Sequence, residues 1–191
     1  MDLKELQKYT KDLTVLYAED EDSLREVTVE LFKNYFGHID SAKNGKEALS
    51  LYKEYQHENN KLYDIVITDL MMPNMNGKEL AKAVLEFNPK QEVIVISAQA
   101  DFDDVIELLN IGINKFMTKP IKGDALNKTL YDISQSIRKL QMEIEDKNEI
   151  NEYNEILKKR EDEKLKELQE FSNALNISAI VVKTNTQGIM T

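Results

Sequence analysis

The chain contains no cysteine and no tryptophan. Disulfides and thiolate metal sites are therefore excluded for these residues, and a reducing compartment suits them. The two histidines, His38 and His57, are too few for a histidine metal cage and are expected on the surface or in loops. No run of about 18 apolar residues occurs, so no membrane-spanning helix is expected. The opening MDLKELQKYT lacks the apolar core of a signal peptide. Basic residues are outnumbered, 25 Lys and Arg against 35 Asp and Glu, for a net charge of −10. Phosphate backbones need clustered cations, so direct nucleic-acid binding is excluded as the role of these residues. Glycine and proline are also scarce, 6 and 3 among 191 residues, and none lies between Gly123 and Gly188. With 41% apolar and 31% charged residues, part of the chain forms a core and another part is a long exposed element.

The residues that are present alternate between two periodicities. Residues 2–9 read as a short amphipathic helix. Val15 to Ala18 form an apolar strand, followed by the acidic cluster Glu19-Asp20-Glu21-Asp22. A helix is predicted from Ser23 to Tyr35, with Leu24, Val27, Leu31 and Phe32 on its buried stripe and Gly37 as its stop. His38 to Ala42 is a weak strand, and Glu47 to Tyr55 a further helix. Asp64 to Thr68 is an apolar strand that ends at Asp69, and a Pro-containing loop then reaches Gly77. Lys78 to Phe87 is helical, Val93 to Ile96 a strand ending at Ser97, and Asp101 to Leu109 a helix stopped near Gly112. Lys115 to Met117 form the fifth strand, and Thr118-Lys119-Pro120 follows. Strands alternating with helices predict an α/β fold, a parallel sheet covered on both faces.

In such a sheet, ligands bind beyond the carboxyl ends of the strands. Glu19-Asp20, Asp69, Ser97 and Lys119 all occupy those ends. Carboxylates facing one another repel unless a cation lies among them, and an all-oxygen ligand set suits Mg²⁺. A carboxylate also attacks phosphorus as a nucleophile and forms an acyl phosphate. A hydroxyl at Ser97 and the ammonium of Lys119 suit the oxygens of a transferred phosphoryl group.

The segments VLYAEDED (15–22), DIVITDLMMPNMNG (64–77), VIVISA (93–98) and KFMTKP (115–120) resemble the receiver domain of two-component response regulators over about residues 12–122. The resemblance implies a flavodoxin-like, doubly wound five-stranded parallel sheet of order 2-1-3-4-5. It implies that Asp69 is the phosphoacceptor, and that Glu19, Asp20, Asp69 and the backbone carbonyl of Met71 hold Mg²⁺. Ser97 and Phe116 take the switch positions, Lys119 pairs with the phosphate, and Asp69, Lys119 and Ser97 carry the phosphotransfer chemistry. Met71 and Gln99 stand where acyl-phosphate lifetime is tuned, and a cis peptide is expected before Pro120. The acidic pair is Glu-Asp where many relatives have Asp-Asp. The implied partner is a sensor histidine kinase or a phosphotransfer protein, in the cytoplasm, and the domain itself is not an enzyme.

Beyond about residue 123 the pattern is a Lys- and Glu-rich helix, expected as a coiled-coil linker over 124–176 after a receiver domain over 1–123. Ile133, Ile137, Leu140 and Ile144 are spaced by four, three and four residues. Ile150, Tyr153 and Leu157 continue in a shifted phase, and Leu165, Leu168, Phe171 and Leu175 are shifted again. A helix of about 50 residues is about 75 Å long. That length calls for a partner, expected as a parallel homodimer through 130–175. Residues 177–191 change again, with Ala179 to Val182 as a β-type run and a turn over 185–188. They resemble the truncated entry into a PAS-like domain. Phosphorylation of Asp69 is expected to shift the face formed by the 101–109 helix, the 115–117 strand and the long helix, and so to signal along the helix to a downstream effector. Two other classes fit these residues less well. A haloacid-dehalogenase phosphatase needs a second Asp where Met71 stands, and a phosphorylation-independent dimerisation module needs a damaged acceptor site.

Overall fold

In the computed structural model the described residues are 2–98 and 102–187, with side chains over 2–98 and 103–174. Six helices and five strands follow one another in the described residues: α1 (Leu3–Thr10), β1 (Thr14–Ala18), α2 (Asp22–Phe32), β2 (His38–Ala42), α3 (Gly45–Asn59), β3 (Ile65–Asp69), α4 (Gly77–Phe87), β4 (Glu92–Ser97), α5 (Phe102–Asn110), β5 (Lys115–Thr118) and α6 (Gly123–Gln187). The strands form one parallel sheet of order β2-β1-β3-β4-β5. This is the flavodoxin-like arrangement expected, with a long C-terminal helix.

The period-two geometry of strands divides the core into two layers. Leu16, Ala18, Val66, Val93 and Val95 point to the face covered by α3 and α4, where Tyr52, Leu80 and Val84 meet them. Val15, Tyr17, Ile65, Ile67, Ile94 and Ile96 point to the opposite face. There they pack on Leu6 of α1, Phe32 of α2, and Leu126, Leu130 and Ile133 of α6. Each buried Val, Leu, Ile or Phe among them stabilises the fold by roughly 1.5–3 kcal/mol.

The helix starts are chemically marked. Asn44 caps α3 by accepting from the Glu47 amide, and Asn76 with Glu79 forms a reciprocal capping box on α4. Gly112 at φ +95° follows α5, the conformation that favours glycine. The buried face of α2 differs from the one predicted. Thr28 and Phe32 are its buried residues, whereas Val27 and Leu31 are 68% and 41% exposed. The helix also ends before Tyr35, because Tyr35 and Phe36 fold back into the core and Thr10 donates to the Tyr35 carbonyl.

The chain divides into two compact units, Met1–Arg138 and a second beginning at Lys139. The first contains the sheet together with the start of α6. Ile133 is fully buried there and Ile137 packs against the same cluster, so the first two residues of the predicted coiled-coil seam belong to the core. Leu130 is likewise fully buried. In the second unit α6 is helical through Gln187, and the strand predicted over Ala179–Val182 is absent. A β-type run needs a partner strand for its backbone groups, whereas extending a helix satisfies them within the segment. Residues 185–187 of the turn predicted over 185–188 are helical as well, for the same reason, and Gly188 lies outside the described residues.

Candidate functional site

The loops at the carboxyl ends of β1, β3, β4 and β5 converge. Glu19 follows β1 and is held there by its own amide, which donates to the Ala42 carbonyl at 3.0 Å. Glu19 as a residue is 1% exposed. Glu19 Oε2 accepts from the Tyr17 hydroxyl at 3.1 Å and from Lys119 Nζ at 2.7 Å. Arg25 of α2 donates to the Glu19 carbonyl at 2.8 Å and pairs with Asp22, which ties the acidic loop to the start of α2. Asp69 is the last residue of β3 and is 8% exposed. Its Oδ1 accepts from the Leu70 amide at 2.9 Å, and its Oδ2 lies 3.2 Å from Lys119 Nζ. Asp20, next to Glu19, is exposed to solvent.

The loop after Asp69 is shaped by close backbone approach. The Gly77 amide donates to the Leu70 carbonyl at 2.9 Å, and a Cβ at Gly77 would stand 2.0 Å from the Asp69 carbonyl oxygen. No side chain fits there, so Gly77 closes the loop that displays Asp69. Asn74 takes a left-handed φ of 66° within the same loop. Lys119 is positioned from the other side, since its amide donates to the Ser97 carbonyl at 2.9 Å, and the Lys119–Pro120 peptide is cis as expected.

Among the described residues, oxygens of Glu19, Asp20 and Asp69 lie within 4.8 Å of one another. Oxygen ligands on opposite sides of one octahedral Mg²⁺ are about 4.2 Å apart, so the spread is close to what such an ion requires. Three clustered carboxylates, two of them paired with the one ammonium of Lys119, leave two uncompensated negative charges, the charge of one divalent ion. Burial raises the Asp69 carboxyl above the usual aspartate value; Lys119 opposes that rise and Glu19 adds to it. Burial acts to lower Lys119, but the hydrogen bond to Glu19 and the charge of Asp69 outweigh it and raise the ammonium. The Tyr17 phenol is held far above its usual value, chiefly by burial. Tyr17 is therefore a fixed donor to Glu19.

The remaining predicted residues fall as follows. Ser97 closes β4 and is 2% exposed. Phe116 pairs with Val95 across the β4–β5 ladder and packs, half-buried, against the core layer under α3 and α4. Met71 is 67% exposed at the rim. Gln99 lies outside the described residues. Tyr17 and Arg25 were missed as supports of Glu19. Their signals were present: Tyr17 lies in β1 two residues before Glu19, and Arg25 stands three residues after Asp22 on the opening turn of α2.

Fold and pocket together define a doubly wound α/β domain with an acid–lysine, cation-accepting pocket at the carboxyl ends of its strands. The profile of the response regulator receiver domain matches residues 15–131, and the chain belongs to that family. It is a signalling module of two-component systems. The chain is 34% identical over 94 residues to the chemotaxis protein CheY of Thermotoga maritima, covering 49% of this chain and 73% of that protein. It is 29% identical over 126 residues to the 3',5'-cyclic-nucleotide phosphodiesterase regA of Dictyostelium discoideum, covering 64% of this chain but spanning only 15% of that protein's length. Among solved structures, the CheX–CheY–BeF₃–Mg complex of Borrelia burgdorferi contains a chain 25% identical, with a TM-score of 0.54, covering 69% of this chain and 97% of that one. Among the described residues, no helix is long and apolar enough to cross a membrane.

Proposed function

We propose that Asp69 accepts a phosphoryl group and that the change is passed along α6. The observation that carries this reading is the cluster of Glu19, Asp20 and Asp69, with Lys119 paired to Glu19 and Asp69 and two negative charges left over. Glu19, Asp20, Asp69 and the Met71 carbonyl are the groups that would hold Mg²⁺, which when bound supplies charge neutralisation for the incoming phosphoryl oxygens. An Asp69 oxygen attacks phosphorus. The O–P bond forms as the N–P bond of a partner's phosphohistidine breaks, and the electron pair leaves with the imidazole. Lys119 is poised to move from Glu19 and Asp69 to a new phosphoryl oxygen, and the Ser97 hydroxyl donates to another. The partner supplying phosphohistidine is a sensor histidine kinase or a phosphotransfer protein.

The output route is the face of α5, β5 and α6, where Phe116 sits, and from there the helix leads to a downstream module. The test is incubation with acetyl phosphate and Mg²⁺, followed by intact mass. A gain of about 80 Da, the mass of one phosphoryl group, that vanishes in Asp69→Asn is expected. No gain in the wild-type chain would overturn this reading and favour a phosphorylation-independent dimerisation module.

A further inference from the structure

The apolar residues of the second unit fall into two competing frames. Counted in heptads with Ile144 at position a, Leu165 is again at a after three whole heptads, and Leu140 and Leu168 are at d. The two flanks therefore share one frame. Between them that frame places Asn151 at a, Asn154 at d and Lys158 at a. The apolar residues of the middle block, Ile150, Tyr153 and Leu157, keep the same a-d-a spacing one residue earlier. Their frame in turn places Glu143 at a, Asp146 at d and Lys164 at a. At positions a and d each frame is apolar where the other is polar, except at Asp146/Lys147 and Arg160/Glu161, where both are polar, and Phe171 falls at a of the inner frame. One residue is a rotation of about 100° around the helix, so a rigid pair of helices cannot satisfy both along its whole length.

These side chains are available. Ile144, Ile150, Tyr153, Leu165 and Leu168 are 51–62% exposed. Recurrent exposure of this size along one helix marks an interaction surface. The polar residues of the outer frame indicate what covers it. An Asn at position a is satisfied by the amide of another Asn at the same level, and only a parallel, in-register second copy of the same helix places Asn151 opposite Asn151. An unrelated apolar partner would leave that amide unpaired.

We propose that residues 139–174 pair with a second copy of this chain as a parallel coiled coil with two alternative frames, one residue apart. The outer frame is held by Leu140, Ile144, Leu165 and Leu168, and the inner frame by Ile150, Tyr153 and Leu157. The difference between them is a rotation of the middle block. The proposal rests on the helix alone and does not depend on phosphorylation of Asp69.

The absence of cysteine makes the test direct. Lys158→Cys reports the outer frame and Leu157→Cys the inner one, each as the only thiol in the full chain. The rate of disulfide-linked dimer formation is measured for both reporters in two backgrounds. Asn151→Leu with Asn154→Leu should favour the outer frame, and Ile144→Asn with Leu165→Asn the inner one. The expected result is that the ratio of the two crosslinking rates reverses between backgrounds, moving roughly tenfold for each 1.4 kcal/mol of frame preference. Circular dichroism checks that each variant remains helical. A ratio that stays the same in both backgrounds means a single frame and overturns the proposal. Absence of crosslinked dimer with both reporters in both backgrounds means no parallel pair and overturns it equally.

Discussion

The two parts of α6 on either side of Arg138 share a spacing but differ in how they bury it. Before Arg138, Leu126, Leu130 and Ile133 are at most 1% exposed because the sheet and α1 cover them. After it, Ile150, Tyr153, Leu165 and Leu168 recur at similar intervals and are 56–62% exposed. A four-three spacing thus identifies an apolar helix face without identifying what covers it. The 126–133 stretch is covered from within the same unit by β-strand side chains one helix layer away. The side chains of the later stretch are open to solvent, and the pairing proposed above is what would cover them.

The most severe way to probe this contrast is truncation on each side of it. Leu130→Ala should lower the unfolding free energy of the receiver by roughly 2–5 kcal/mol, the cost of a core cavity, read as a shift of the denaturant midpoint. Leu168→Ala should leave that transition within about 0.5 kcal/mol while weakening self-association in sedimentation. Equal effects of the two substitutions on the receiver transition would erase the distinction.

A smaller effect is expected at the pocket, where burial works against charge. Because the native Asp69 carboxyl titrates above its unfolded value, the folded state holds that proton more tightly. Stability is therefore lost as pH rises from the usual aspartate value through the raised one, and the deficit persists above it. Asp69→Asn should accordingly stabilise the chain at neutral pH by about 1 kcal/mol, in the range of substitutions that relieve strained functional sites. That advantage should shrink as pH falls through the titration of Asp69. A variant less stable than wild type at neutral pH would contradict the electrostatic reading.

The smallest effect concerns the end of the buried stretch. The Arg138 guanidinium lies 4.6 Å from the Tyr9 ring centroid and donates to the Lys8 carbonyl at 3.1 Å, while Tyr9 meets Tyr131 edge to face at 5.6 Å. Arg138→Ala should cost roughly 0.5–1 kcal/mol, the size of an exposed cation–π contact. Amide exchange should speed up in α1 and in the turn of α6 around Tyr131, with β3 unchanged. Exchange unchanged in both helices would mean that α1 does not hold α6 at that point.

Much of the fold was legible because buried parallel strands read as continuous apolar runs. Val15–Ala18, Ile65–Ile67 and Val93–Ile96 needed no tertiary information. The strand order and the roles assigned to Asp69 and Lys119 came from resemblance, since spacing alone does not say which strands are neighbours. The buried face of α2 was misread because Thr28 is a poor hydrophobic signal, yet it is buried beside Tyr17, whereas Val27 and Leu31 are apolar and exposed. Ala179–Val182 was misread because β-branched residues prefer strands only when a neighbouring strand exists. The carboxylates of the site were legible, but their supports were not. That Tyr17 and Arg25 hold Glu19 from two sides depends on how α2 packs over β1.

The central claim is that Glu19, Asp20 and Asp69 form one cation-assisted acceptor site with Lys119. Calorimetric titration of Mg²⁺ into the wild-type chain and into Asp20→Asn and Asp69→Asn tests it directly. The expected result is one ion per wild-type chain, a rise in thermal midpoint as Mg²⁺ saturates it, and strongly weakened binding in both variants. Binding that survives unchanged in both variants, or no saturable binding in the wild type, would contradict the claim.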